Sequence, residues 1–235
     1  MRPAPAPLGA ERLTLSTDGV RLKGLHFAPA GPVRDAPVVL CFPGNAWNAT
    51  EGALMIRRML PHAHVVAFHY RGYAPSSGRP SATSLSRDAE RIFDHVSQRF
   101  PGKPVVAVGF SIGSGIAAHL ASRRNLAGAV LVTPFDSFRR VAGETMPWVP
   151  VRWLLTHRLE PAADLAGSDV PAALIVAGND RVISPERGLA LAQAVAHLAS
   201  YEVLAGAGHD DIYDRPEFPG MLRSAIEAVL RVEPA

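Results

Sequence analysis

The chain reads as an α/β protein with a mostly parallel central sheet, an antiparallel hairpin at its N-terminal end and helices on both faces. Three observations point there. Apolar runs such as Val38-Val39-Leu40-Cys41-Phe42 recur along the chain, as strands buried on both faces do. Segments with an apolar stripe at helical spacing separate those runs. The residues suited to chemistry fall just after the runs, where the carboxyl ends of parallel strands gather ligands.

The elements follow in order. Leu13 and Leu15, then Val20, Leu22 and Leu25, flank Asp18-Gly19, a two-residue hairpin signal. Strands are expected over 37–42, 64–70, 104–109, 127–132, 172–177 and 201–204. Helices are expected over 50–60, 84–100, from Ser111 onward, over 185–198 and over 216–232. Leu85, Ala89, Ile92, Phe93, Val96 and Phe100 form the buried face of the second of these. Neither a repeat nor a linker interrupts the pattern, so residues 1–235 read as one domain. A short lid is expected over about 138–168, between two strands.

Composition narrows the function. Apolar residues make up 48% of the chain and charged residues 19%, the balance of a globular domain and not of a disordered one. The net charge of +3 comes from basic residues scattered singly and in pairs, a solvated surface and not a nucleic-acid stripe. The lone cysteine, Cys41, lies inside an apolar run and reads as a small buried hydrophobe. Met1-Arg2-Pro3-Ala4-Pro5 lacks the apolar core of a signal peptide, and no segment has the ~18 apolar residues of a membrane span. A cytoplasmic protein is expected. No metal-ligand spacing or phosphate-binding glycine pattern appears, so no cofactor is expected.

Gly109-Phe110-Ser111-Ile112-Gly113 follows an apolar run and precedes the small residues Ser114-Gly115-Ile116-Ala117-Ala118. A G-x-S-x-G pattern between strand and helix places the serine on a strained turn, its hydroxyl clear of the sheet. The flanking glycines are expected where a Cβ would strike the neighbouring strand and helix. A nucleophilic serine needs a base, and the base needs an orienting acid. His209, in Gly206-Ala207-Gly208-His209-Asp210 after the last strand, is the base candidate. Asp180, after strand 172–177, is the favoured acid, with Asp136, one strand earlier, as its competitor. The order Ser111, Asp180, His209 is the chain order in which this strand–turn–helix fold carries its triad. Asp210 and Asp211 are expected to cap the short helix after His209. An oxyanion hole needs two backbone amides. Ile112 N–H, at a helix start, is one candidate, and Asn45 N–H, in Pro43-Gly44-Asn45-Ala46 after strand 37–42, is the other.

These stretches resemble the α/β-hydrolase family, and within it the small Bem46-like branch related to the eukaryotic ABHD13 and ABHD17 proteins. The resemblance rests on Phe42-Pro43-Gly44-Asn45-Ala46, Tyr70-Arg71-Gly72-Tyr73-Ala74-Pro75-Ser76-Ser77-Gly78 and the Ser111 pentapeptide. Pro134-Phe135-Asp136-Ser137, Gly178-Asn179-Asp180 and Gly206-Ala207-Gly208-His209 extend it over nearly the whole chain. It implies Ser111 as nucleophile, Asp180 as acid and His209 as base, and makes Asp136 part of a branch motif. Many relatives carry His-Gly where this chain has Pro43-Gly44, which leaves the hydrogen bonding of that loop to be explained.

Around the site, Arg71 is a candidate either to hold a loop through carbonyls or a carboxylate or to meet a substrate anion. Met146, Trp148 and Trp153 are candidates to line an acyl pocket or simply to pack the lid. The reading is a serine hydrolase of small-molecule acyl esters or thioesters. A peptidase or amidase of the same fold and a non-catalytic binding protein that keeps the fold are the alternatives.

Overall fold

The computed structural model describes residues 7–45, 47–145 and 159–232. Its strands are β1 (Ala10–Thr17), β2 (Val20–Phe27), β3 (Val38–Phe42), β4 (His64–Phe68), β5 (Val105–Phe110), β6 (Gly128–Val132), β7 (Ala172–Ala177) and β8 (Leu198–Leu204). Its α-helices are α1 (Ala49–Met59), α2 (Ala82–Arg99), α3 (Ile112–Ala121), α4 (Phe138–Thr145), α5 (Pro161–Ala166), α6 (Pro185–Ala194) and α7 (Phe218–Arg231).

The strands join in one sheet in the order β1-β2-β4-β3-β5-β6-β7-β8. β1 and β2 form the expected hairpin, with Thr17 opposite Val20 and only Asp18-Gly19 between them. Both turn residues have positive φ, 46° and 74°, as a tight hairpin of this hand requires. β2 also runs antiparallel to β4, and every pairing from β4 to β8 is parallel.

The inner strands explain the continuous apolar runs. Along β3, Val38, Leu40 and Phe42 enter the core on one face, while Val39 and Cys41 enter the core on the other. The first core is closed by α2 and α3 through Leu85, Ile92, Val96, Ile116 and Leu120. The second is closed by α1 and α7 through Ile56, Phe218, Leu222 and Val229. Cys41 is buried, and that burial pushes its thiol far above the ordinary range, which suits a packing role.

The boundary between α6 and β8 differs most from the sequence reading. The helix expected to run to residue 198 ends at Ala194, and β8 begins at Leu198, three residues before expected. Val195 takes an extended backbone, and pairing with β7 recruits the following residues into the sheet past a bulge at Ala172/Ala173. His197 therefore precedes a strand and does not sit in a helix. Among the described residues no helix is long and apolar enough to cross a membrane.

At the end of the sheet opposite the strand ends that carry Ser111, two imidazoles share a hydrogen bond, His26 Nε2 to His64 Nδ1 at 3.0 Å. The other nitrogen of His26 meets Glu11 at 3.1 Å, and Glu11 is also bound by Arg99. Burial holds His26, His64 and His69 below the usual imidazole range. The unfolded chain then binds more protons than the folded one as pH drops through the ordinary imidazole value of about 6.5. The contribution of these groups is complete above that value and is lost below it. The urea midpoint is therefore expected to fall steadily from about pH 7 to about pH 5. His64→Gln, which removes one of the titrating rings, is expected to flatten that slope.

Candidate active site

The serine turn is built by steric exclusion. Ser111 joins β5 to α3 with φ 51° and ψ −120°, a conformation that non-glycine residues rarely adopt. A Cβ at Gly113 would strike the carbonyl oxygen of Phe42 and stand 2.7 Å from that of Pro43. A Cβ at Gly109 would overlap the backbone of Gly113 and stand 2.7 Å from Cα of Ser114. Both glycines are thus required by close backbone approach. The turn is pinned at both ends. Ser111 N–H donates to Val132 O at 3.0 Å, and Ser114 N–H and Oγ–H donate to Ser111 O at 2.9 and 2.6 Å.

Asp180 follows β7. Its Oδ1 accepts from the N–H groups of Val182 and Ile183, each at 2.8 Å, and its carboxylate is almost wholly buried. Its Oδ2 lies 2.7 Å from His209 Nδ1. A buried carboxylate already accepting two amides needs a further donor, so Nδ1 carries the proton. The other ring nitrogen, Nε2, is then an acceptor, and it lies 3.0 Å from Ser111 Oγ. His209 comes from the loop after β8, where Asn179 N–H donates to Ala207 O at 2.8 Å and ties the two loops together. Residues 98 positions apart thus meet in one chain of hydrogen bonds.

Asp136 is not in that chain. It is buried, and its carboxylate accepts from Arg140 at 3.1 Å and Arg187 at 3.2 Å. Its carbonyl accepts from Ala162 N–H at 3.1 Å, so it fastens α5 and α6 to the loop after β6. Asp211 departs from its expected role as a helix cap. Its carboxylate turns back to accept from Gly208 N–H and also binds Arg215, which holds the His209 loop. These contacts hold it below the usual carboxylate range, chiefly through the Gly208 amide.

A cavity of about 340 Å³ opens beside Ser111. That size lies within the span of small-molecule sites. Gly44, Asn45 and Ile112 stand at its wall with Ser111 and His209, so both expected oxyanion donors belong to residues at the cavity. Aromatic and aliphatic side chains, among them Trp47, Phe135, Phe138, Val141 and Ile183, make the rest largely apolar. Burial pushes the Tyr213 phenol up to about 12, so it stays neutral there.

Arg71 corrects the pocket reading. It does not line the cavity, because Asp88 of α2 takes its guanidinium in a buried bidentate pair at 2.7 and 2.5 Å. This is the loop-holding role that the sequence left open. Met146, Trp148 and Trp153, with the middle of the expected lid, lie outside the described residues. The tyrosines on either side of Arg71-Gly72, Tyr70 and Tyr73, do line the cavity, which the sequence reading does not anticipate. The signal that points to them is the place of Tyr70-Arg71-Gly72-Tyr73 just after β4, at the same rim as Ser111.

A family model for the alpha/beta hydrolase fold matches residues 37–170. The chain belongs to the α/β-hydrolase family. It is 32% identical over 208 residues to the uncharacterized protein Rv2307c of Mycobacterium tuberculosis, a match covering 87% of this chain and 74% of that protein. It is 26% identical to the lysophosphatidylserine lipase ABHD12 of Danio rerio, over 90% of this chain and 68% of that protein. Among solved structures, Est1E from Butyrivibrio proteoclasticus, crystallised with ferulic acid, superposes with a TM-score of 0.78 at 12% identity, over 93% of this chain and all of that one. An α/β hydrolase from Vibrio vulnificus gives 0.74 at 22% identity, over 95% and 82%. These likenesses agree with the strand order and with the hydrolase fold.

The two carboxylates are expected to separate in a mutant comparison. Asp180→Asn removes the acceptor that holds Nδ1–H and is expected to slow the reaction of Ser111 with a fluorophosphonate by about 10³-fold or more. Asp136→Asn is expected to lower the urea midpoint and to leave that rate within a few-fold of the parent. Rates of probe attachment, read by mass spectrometry, check both.

Proposed function

We propose that the protein is a serine hydrolase of carboxylic esters or thioesters that works through an acyl-enzyme, within the Bem46-like branch. One observation carries this reading. Ser111, His209 and Asp180 are linked at 3.0 and 2.7 Å at the wall of an apolar cavity. In the first half-reaction Ser111 Oγ attacks the acyl carbonyl and its proton passes to His209 Nε2. Asp180 keeps the ring oriented and stabilises the imidazolium. The N–H groups of Ile112 and Asn45 receive the negative charge that develops on the carbonyl oxygen. Collapse of that intermediate breaks the bond to the leaving alcohol or thiol, which takes the proton from His209. In the second half-reaction a water gives its proton to Nε2 and attacks the acyl carbon, and Ser111 recovers its proton as the acid departs.

The apolar walls suit the acyl part of the substrate. With a water-sized group taking about 30 Å³, the cavity has room for on the order of ten non-hydrogen atoms. Similarity to a lysophosphatidylserine lipase favours acyl esters of lipid type over peptides. In this reading α4 begins a short lid over a single domain, and the protein works in the cytoplasm without a cofactor.

Labelling with a fluorophosphonate and turnover of p-nitrophenyl esters test the reading. Both are expected in the parent and absent from Ser111→Ala. Octanoate is expected to give a higher kcat/KM than acetate. A folded parent that neither labels nor turns over either ester overturns the proposal.

A further inference from the structure

The loop that would supply the second oxyanion amide is intrinsically loose. Pro43 has no N–H to anchor it, and Gly44 places few limits on its own dihedrals. Beyond a long backbone bond of its own, Trp47 N–H to Gly44 O at 3.3 Å, what holds it comes from another segment. Tyr70 Oη donates to Pro43 O at 2.9 Å in a buried contact, and Tyr73 Oη donates to Asn45 Oδ1 at 2.8 Å. The two rings pack edge to face with centroids 6.0 Å apart. We propose that Tyr70 and Tyr73 are positioning residues that fix the Asn45 amide for the oxyanion, a proposal that rests on the hydrolase reading above.

The segment bearing the tyrosines is itself tied down on two sides. The buried Arg71–Asp88 pair fastens it to α2. On the β2 side, Arg21 N–H donates to Ser77 Oγ and Ser77 N–H to Arg21 O, at 2.9 and 3.0 Å. Lys23 N–H donates to Ser76 Oγ at 2.9 Å, and that hydroxyl donates to His69 O at 2.7 Å. The segment closes on itself through Gly72 N–H to Ser77 O at 3.0 Å. The phenols therefore project from a rigid strut. Burial also pushes the Tyr70 hydroxyl well above its ordinary value, so it remains a donor over the working pH range.

The other donor needs no such help. Ile112 N–H lies in the first turn of α3, right after the pinned serine turn. The two halves of the oxyanion hole thus have separate origins, one from the serine turn and one from a loop held by two hydroxyls. Loss of a whole oxyanion donor costs about 10²–10³ in kcat, and displacement of one is expected to cost a part of that.

The experiment is steady-state turnover of p-nitrophenyl octanoate by the parent, Tyr70→Phe, Tyr73→Phe and the double variant. An octyl trifluoromethyl ketone, whose adduct with the serine bears an oxyanion, is the transition-state probe. Octanoate is the planar control ligand, and urea midpoints are recorded for each protein. Tyr70→Phe is expected to lower kcat about tenfold or more and Tyr73→Phe about threefold or more, with KM within about twofold. Affinity for the ketone is expected to fall in proportion to kcat/KM, while affinity for octanoate holds. A purely structural role would not make the ketone track the rate. Should Tyr70→Phe fail to fold, Tyr73→Phe, which removes a hydroxyl at the exposed Asn45, decides the matter with the same readouts. An active parent with phenylalanine variants of unchanged kcat, or with losses confined to KM, overturns the clamp alone. A parent inert to both ester and fluorophosphonate overturns the hydrolase reading and the clamp with it.

Discussion

The contact between backbones at the β5–α3 junction is the constraint on which the site depends. Gly113 of α3 lies against the carbonyls of Phe42 and Pro43, and Gly109 of β5 lies against Gly113 itself. No side chain fits at either place. That approach brings the start of α3 down onto the end of β3, and with it the loop bearing Asn45 to the wall that Ser111 and Ile112 share. The strained backbone of Ser111 follows from the same geometry, since the chain must reverse within one residue to pass from strand to helix. The surrounding hydrogen bonds, to Val132 O and from Ser114, offset that strain locally.

Buried charge imposes the second set of requirements. Asp180, Asp136 and Asp88 are all carboxylates inside the protein, and each is satisfied differently. Asp180 accepts from two amides and an imidazole, which leaves one directed bond to a group able to exchange a proton. Asp136 and Asp88 instead meet guanidinium groups, which cannot exchange one at ordinary pH. The chemistry open to the three thus differs although the residue type is the same. Asp136 and Asp88 serve architecture, one binding the helices next to the cavity and the other holding the loop of Tyr70 and Tyr73.

Much of this was legible in the sequence because it rests on local rules. The apolar runs marked the inner strands, since only a strand buried on both faces is apolar at every position, as β3, β5 and β7 are. Asp18-Gly19 marked the hairpin because two successive residues must take positive φ. The Ser111 pentapeptide, with Asp180 and His209 after later strands, marked the candidate triad, because such residues gather where parallel strands end. Local rules do not reach contacts with a remote partner. The start of β8 depends on pairing with β7, and Arg71 depends on Asp88, 17 residues away on a helix that packs over it. Asp211 shows that a near partner can also compete: its position suits a cap, while its carboxylate is claimed by the Gly208 amide behind it.

The sequence by itself therefore determined the fold class, the alternation of elements and the residue types able to carry the chemistry. Each of these is set by periodicity and backbone preference within a few residues. Only the tertiary structure decided which carboxylate His209 meets, what the arginine after β4 binds and what holds the Pro43-Gly44-Asn45 loop. Those outcomes turn on distances between side chains tens of residues apart. They follow from how the strands are ordered and how closely the helices approach them, and no local pattern encodes that spacing.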